Sequence, residues 1–226
     1  MAIYPCTFEL EKGCYSHLFP DIMKSIIACT DFSQNSSNAV KYAAALAKAA
    51  EARLILFHHF TYPVPATDMP MAYPTIFVEG MEDGFEKRLQ TLKVELEKTY
   101  SLEIEYVLKS WDFKSDLEET FTEKQAGLVV MGMQGQSAVV NALVGNMTST
   151  MIRRGHLPIL VIPRGVAFHP VQKIIFPCDD HAITSPAILQ PLLDLAKGFD
   201  AYIEVLTLFD LEKTPELVPN SGRSAA

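Results

Sequence analysis

Four apolar residues, Leu128-Val129-Val130-Met131, run straight into Gly132-Met133-Gln134-Gly135, and Gly145-Asn146-Met147-Thr148 follows after nine more residues. A short, unbroken apolar run is the pattern of a strand buried on both faces of a parallel sheet. From Asn146 to Arg154 the spacing turns helical, with Arg153 and Arg154 in the last turn, where cations oppose the helix dipole. Buried strand, glycine-bearing loop and helix start, in that order, restrict the chain to an α/β fold. The same order marks a candidate anion cradle. Glycines let backbone N–H groups approach an anion without a Cβ in the way, and the helix amino end adds partial positive charge.

The alternation continues along the chain. Strands are expected at about 24–29, 53–59, 104–108, 128–131 and 158–162, and helices at about 36–50, 81–100, 112–125 and 146–154. Asp31-Phe32-Ser33 supplies turn and cap residues before the Ala-rich first helix. Such a pattern predicts a five-stranded parallel sheet sandwiched by helices, with any ligand beyond the carboxyl ends of the strands where their order reverses. Pro63, Pro65, Pro70 and Pro74 exclude a regular element from 60 to 80, leaving a long loop of the kind that covers sites. Tyr4-Pro5, Gly13 and Pro20 break any periodicity near the start. Residues 1–22 therefore read as an N-terminal extension and 23–165 as the principal domain.

Composition narrows the class. The 226 residues are 49% hydrophobic and 20% charged, with a net charge of −8, which argues against a nucleic-acid surface. A phosphate site in so acidic a chain must be built from local backbone dipoles. No apolar run is long enough for a membrane span, and no basic start precedes an apolar stretch, so a cytoplasmic protein is expected. Cys6, Cys14, Cys29 and Cys178 form no C-x-x-C pair, which fits a reduced compartment.

A repeat adds a second unit. Lys24-Ser-Ile-Ile-Ala-Cys-Thr-Asp31 is answered by Gln172-Lys-Ile-Ile-Phe-Pro-Cys-Asp179, and Leu46-Ala47-Lys48 by Leu195-Ala196-Lys197. The stretch Leu54–Phe57 is echoed by Ile203–Leu206, after which no counterpart of the glycine loop appears. Residues 166–226 thus read as a partial second β-α-β unit and a tail.

Taken together, Thr30-Asp31-Phe32-Ser33 after the first strand, Gly132-x2-Gly135-x9-Gly145 and Leu157-Pro158-Ile159-Leu160-Val161-Ile162-Pro163 resemble the universal stress protein family. The resemblance covers about 23–163 as a complete unit and 171–209 as the opening of a second, as in tandem members. It implies a Rossmann-like sandwich of the adenine nucleotide alpha hydrolase type, a cytoplasmic homodimer and, in one subclass, ATP binding. Carried over residue by residue, Thr30 and Asp31 would face the adenosine. His59 would stand where the family has an aliphatic residue offering backbone groups to adenine. Met131 and Gly132 would line the ribose, and Gln134, Gly135, Gly145, Asn146, Met147 and Thr148 would surround the phosphates. The implied ligand is ATP, with Mg²⁺ accompanying it, or AMP or ADP. Asn146 replaces the family's usual Ser or Thr, Gln136 a frequent basic residue and Cys29 a frequent proline.

Plainer readings compete at several positions. Asp31 could cap the Ala-rich helix. His58 and His59, adjacent on a strand, point to opposite faces and are poorly placed to share a metal. Asp179-Asp180 reads as a solvated cap, and Cys29 as a buried inert thiol or a reactive one. The chain has no Gly-x-Ser-x-Gly elbow, no Gly-Lys-Ser/Thr loop and no dinucleotide G-x-G-x-x-G, and no pattern pairs a nucleophile with a base. The expected function is therefore regulatory binding of adenine nucleotide, with no catalytic residues and at most slow ATP hydrolysis. The alternative is a ligand-free dimerisation or interaction module of the same fold, and a lesser one is an enzyme acting on an adenylated or phosphorylated small molecule. For assembly, the proline-bracketed strand at 158–162 is an edge suited to pair across a two-fold axis.

Overall fold

The computed structural model describes residues 2–8, 23–62, 75–133, 146–178 and 186–209. In chain order the elements are β1 (Ala2–Phe8), β2 (Ser25–Cys29), α1 (Gln34–Ala49), β3 (Arg53–His59), α2 (Thr75–Tyr100), β4 (Ile104–Lys109) and α3 (Phe113–Glu123). Then come β5 (Leu128–Gly132), α4 (Asn146–Arg154), β6 (Ile159–Ile162), β7 (Lys173–Cys178), α5 (Gln190–Gly198) and β8 (Tyr202–Phe209). The chain divides into two compact units, Phe19–His169 and a composite of Met1–Leu18 with Pro170–Ala226.

The first unit is a five-stranded parallel sheet in the order β4-β3-β2-β5-β6, as the strand–helix alternation predicts. β2 lies at its centre, and all five of its residues are buried. On one face lies α1, whose Ala39, Val40, Ala43, Ala44 and Ala47 are all buried. Their small side chains let the helix approach the sheet closely. α2 packs on the same side, with Leu89 and Leu96 inward. The other face gathers Ile27, Cys29, Ile55, Phe57, Val129 and Met131 with Leu117 of α3 and Met151 of α4. Odd-numbered residues of β2 and β3 point into this layer, as strand alternation requires. Phe57 is fully buried there, a burial that stabilises the fold by about 1.5–3 kcal/mol.

One boundary differs from the sequence reading. The stretch read as irregular up to residue 80 is helical from Thr75. The last breaker is Pro74, so the helix begins at the first position where every residue can donate a backbone hydrogen bond.

The composite unit is a three-stranded sheet, β1-β8-β7. Its β7-α5-β8 segment repeats β2-α1-β3 at the end of the helix and the start of the second strand, whereas α5 has no side-chain cap like Ser33 at its own start. Both helices end through a non-glycine residue in the left-handed region, Glu51 at φ 52° and Asp200 at φ 53°. The following amide then reaches back: Ala52 N–H donates to Ala47 O at 2.9 Å, and Ala201 N–H to Ala196 O at 2.8 Å. Each second strand then opens the same way, with Arg53 N–H on Lys24 O and Tyr202 N–H on Gln172 O. The two halves differ in what flanks them. β3 has β4 as its parallel neighbour, whereas β8 has β1, running antiparallel from the other end of the sequence, with Ala2 opposite Phe209 and Phe8 opposite Ile203. Residues 2–8, read as part of an extension, are thus a strand of this sheet. β7 alternates in exposure, with Ile174 and Phe176 packed against the Ala196, Ala201 and Ile203 cluster and Ile175, on the opposite face, 57% exposed.

Candidate functional site

The strand order fixes where the first unit can hold a ligand. From β2 the chain moves outward to β3 and β4, then returns to the other side of β2 for β5 and β6. The loops leaving β2 and β5 therefore part in opposite directions, and the crevice between them lies at the carboxyl ends of these two strands. Ala28 is paired with Val130, so the chains run on to Thr30-Asp31 and Gly132-Met133 side by side. The amino end of α4 joins them: the Thr148 hydroxyl, buried, donates to the Gly132 carbonyl at 3.4 Å.

The turn after β2 is held by its own polar groups. Ser33 is the N-cap of α1, its hydroxyl accepting the Ser36 amide at 3.2 Å. Asp31 is therefore not the cap. Its Oδ1 accepts the Ser33 amide at 2.9 Å, while the residue as a whole stays exposed to solvent. Partial burial pushes the Asp31 carboxyl up, but hydrogen bonds from Ser33 and Ser36 outweigh it, and the group is held below the ordinary carboxylate range. Thr30 is buried, and its hydroxyl is spent inside the turn, accepting the Phe32 amide at 3.0 Å and meeting Ser36 Oγ at 3.2 Å. Of the two residues expected to face an adenosine, Asp31 is free to do so and the Thr30 side chain shapes the turn. Ser36 had no part in the sequence reading. The signal for it was the Ser33-x-x-Ser36 spacing of an N-cap and the residue it caps, although the Ser33 amide goes to Asp31 and Ser36 Oγ accepts the Asp31 amide at 3.3 Å.

Gly132 has an exact spatial reason. A Cβ there would stand 2.9 Å from the Asn35 carbonyl oxygen and 3.3 Å from the Ser36 amide nitrogen, both backbone of the first turn of α1. The glycine seats that turn directly on β5. Met131 is buried in the core beside Cys29 and Met151, so at the crevice it can present backbone only. Met147, by contrast, is 44% exposed on the first turn of α4. Asn146 begins that helix, but its side chain, like Gln134, Gly135 and Gly145, lies outside the described residues.

The two histidines diverge as the alternation predicts. His59, at the end of β3, turns toward α3, where its Nε2 is 3.5 Å from Asp116 Oδ2 and its ring meets Phe113 edge-on at 5.7 Å. Asp116 is buried and accepts the Trp111 amide at 3.1 Å through the same oxygen. Burial pulls His59 below the ordinary histidine range, against the opposing pull of Asp116 and Asp112. His58 turns to the other face, toward Phe32 and Phe85. Cys29 is buried, and desolvation pushes its thiol up to about 12, so at neutral pH it is neither nucleophile nor base. No group of three or more His, Cys, Asp or Glu among the described residues is placed to hold a metal ion. None of the described helices is long and apolar enough to cross a membrane.

Comparison with known proteins agrees with this fold. The family model described as universal stress protein family matches residues 23–163. A universal stress protein of Mycobacterium tuberculosis is 43% identical over 44 residues, 20% of this chain, and the match spans only 14% of that relative's length. Among solved structures, a universal stress protein family member from Burkholderia pseudomallei is 23% identical with a TM-score of 0.52, covering 64% of this chain and 98% of its own. A universal stress protein from Archaeoglobus fulgidus is 14% identical with a TM-score of 0.63 and covers 86% of this chain and 71% of its own. At these identities the structural likeness speaks for the fold.

Proposed function

The chain belongs to the universal stress protein family, and on that footing we propose that it binds an adenine nucleotide, ATP first, as a regulatory ligand in the crevice between β2 and β5. The observation that supports this most is the meeting of three groups at one place. These are the exposed Asp31 carboxylate, the close-packed backbone at Gly132 and the amino end of α4, tied to β5 through Thr148. An ionised Asp31 suits a ribose or adenine donor, and a helix amino end suits phosphate. His59 would border the adenine through its backbone. Gly135, Gly145 and Asn146 would close on the phosphates by the family pattern, with any Mg²⁺ carried in by the phosphates. Among the described residues at the crevice none combines a nucleophile with an activating base, so any hydrolysis would be slow and incidental.

The test is direct. Protein purified from a cytoplasm is denatured and the released small molecules identified, and the protein is titrated with ATP, ADP and AMP by calorimetry. Binding that Asp31→Ala weakens by about tenfold, the value of one charge-assisted hydrogen bond, supports the reading. No released nucleotide and no heat at millimolar concentration would remove it.

A second reading concerns assembly. β6 is an edge strand of four apolar residues, three of them only half-buried. Its even positions serve β5, since Pro158 and Ile162 carbonyls accept from Val129 and Met133. The backbone of Ile159 and Val161 is left on the free side, where a second copy would complete an antiparallel pair. The composite unit would then be the incomplete second half of a tandem member. Light scattering decides the dimer, because a clean monomer at micromolar concentration contradicts it.

A further inference from the structure

His58 is 5% exposed, and its Nδ1 stands 2.7 Å from the Thr30 carbonyl oxygen. A carbonyl oxygen can only accept, so Nδ1 must carry the proton. The neutral ring is therefore the Nδ1–H tautomer, and Nε2 is a bare acceptor, buried with no hydrogen-bond partner among the described residues. Phe32 and Phe85 pack against the ring at 4.6 and 4.7 Å between centroids.

We propose that His58 is a positioning residue for the ligand crevice: its Nδ1–H fixes the Thr30 carbonyl and so sets the turn from which Asp31 projects. The effect on affinity rests on the nucleotide reading above; the effect on the turn does not. Thr30 is held on every polar atom. Its amide donates to Phe57 O at 2.9 Å, its hydroxyl serves Phe32 and Ser36, and its carbonyl takes the His58 proton. Phe32, two residues on, has φ 60°, a left-handed conformation that is uncommon for a bulky side chain and is held here by its surroundings. Those surroundings are His58, Phe85 and the Arg88 guanidinium, which lies 4.0 Å over the Phe32 ring. Removing the imidazole releases the carbonyl and one wall of the Phe32 ring together. The turn is then free to leave the left-handed region and carry Asp31 with it.

The charged groups facing His58 are Arg88 from α2, Asp31 from the turn and His59 from its own strand. Burial disfavours the charged ring, the Thr30 bond and Asp31 favour it, and Arg88 and His59 oppose it; the balance lies below the ordinary histidine value. Protonation would also place an N–H at Nε2, where no acceptor stands among the described residues. The turn should therefore keep its shape through neutral pH.

The experiment uses the full chain. Long-range ¹H–¹⁵N correlation of the imidazoles at pH 7.5 reads the His58 tautomer, and amide exchange reads Asp31, Phe32 and Ser33. His58→Asn places an amide N–H where Nδ1 stands; His58→Leu removes the donor and keeps an apolar side chain. The Asn variant should keep amide exchange and ATP affinity within about threefold of the parent. The Leu variant should speed exchange at those three amides and weaken ATP binding by about tenfold each, the equivalent of one hydrogen bond. Should the Leu variant fail to fold, His58→Gln, whose amide reaches toward the Nε2 position, is expected to behave as the Leu variant would. An Nε2–H tautomer, or unchanged exchange at Asp31–Ser33 without the donor, overturns the proposal. If the parent binds no nucleotide, the function reading falls, while tautomer and exchange still decide this one.

Discussion

Gly132→Ala adds a single methyl group at a place where the structure leaves no room for it. The new Cβ would meet the Asn35 carbonyl oxygen at 2.9 Å, the Asn35 carbonyl carbon at 3.1 Å and the Ser36 nitrogen at 3.3 Å. All three are backbone atoms in a hydrogen-bonded helix start, so no side-chain rotation relieves the clash. α1 must move off β5 by a few tenths of an ångström, and overpacking of this kind costs about 1–3 kcal/mol. Against it stands the reduced freedom of the unfolded chain, worth roughly 0.4–1 kcal/mol. The net expectation is a loss of about 1–2 kcal/mol. Gly84→Ala is the matched control. Gly84 lies inside α2, and an added Cβ there meets nothing within 4 Å. There the same methyl should stabilise by about 0.5–1 kcal/mol through helix propensity. At about 2–4 °C per kcal/mol for a chain of this size, thermal melting followed by far-ultraviolet circular dichroism should separate the variants clearly, with opposite signs relative to the parent. Gly132→Ala melting at or above the parent would refute the close seating of α1 and, with it, the backbone geometry assigned to the crevice.

Three further outcomes follow from the same geometry. With its thiol pushed up to about 12, Cys29 should resist iodoacetamide at pH 8 in the folded protein and react only on unfolding; peptide mapping that finds Cys29 labelled as fast as Cys178 would contradict the burial. Both His58 and His59 are held below their ordinary value of 6.5, so the unfolded chain takes up their protons first. Their contribution is complete above pH 6.5 and is lost as the pH falls from there toward the folded values. Asp31 and Glu105 are lowered carboxyls whose contribution fades only at more acidic pH, below their ordinary values of 3.8 and 4.5. The urea midpoint should thus fall between about pH 6.5 and 5, and a midpoint flat across that interval would disprove the assignment. Finally, Val161→Pro, which removes a backbone N–H that faces the free edge of β6 and that β5 does not use, should convert a dimer to monomer in light scattering, since edge pairing needs that donor; a dimer that survives it places the contact elsewhere.

How much of this was legible in the sequence depended on where the determining contact lies. The runs Leu54–Phe57 and Leu128–Met131 announced buried parallel strands because both faces of such strands are apolar, a property each run carries by itself. Ser33 was legible as a cap for the same local reason. The start of α2 was obscured by four prolines upstream and by Gly80, which reads as a breaker although the helix runs through it. β1 could not be read from its neighbourhood: Pro5 interrupts the pattern, and the partner that makes the segment a strand is β8. His58 was weighed only as half of a metal pair. Its bond to Thr30 depends on a neighbouring strand's carbonyl, which no spacing in the sequence records. That the Thr30 hydroxyl is spent inside the turn was likewise illegible, because its partners, Ser36 and the Phe32 amide, come together only once the turn has closed.

The antiparallel pairing of Ala2–Phe8 with Tyr202–Phe209 sets a timetable for birth of the molecule on the ribosome. The opening strand emerges first, yet its hydrogen-bonding mate is made about 190 residues later, roughly 10–40 s at ordinary translation speeds. Throughout that wait the Phe19–His169 unit can complete itself while Ala2–Phe8 has no β8 to pair with. Premature pairing between neighbouring nascent chains is therefore expected in that interval rather than in the finished protein.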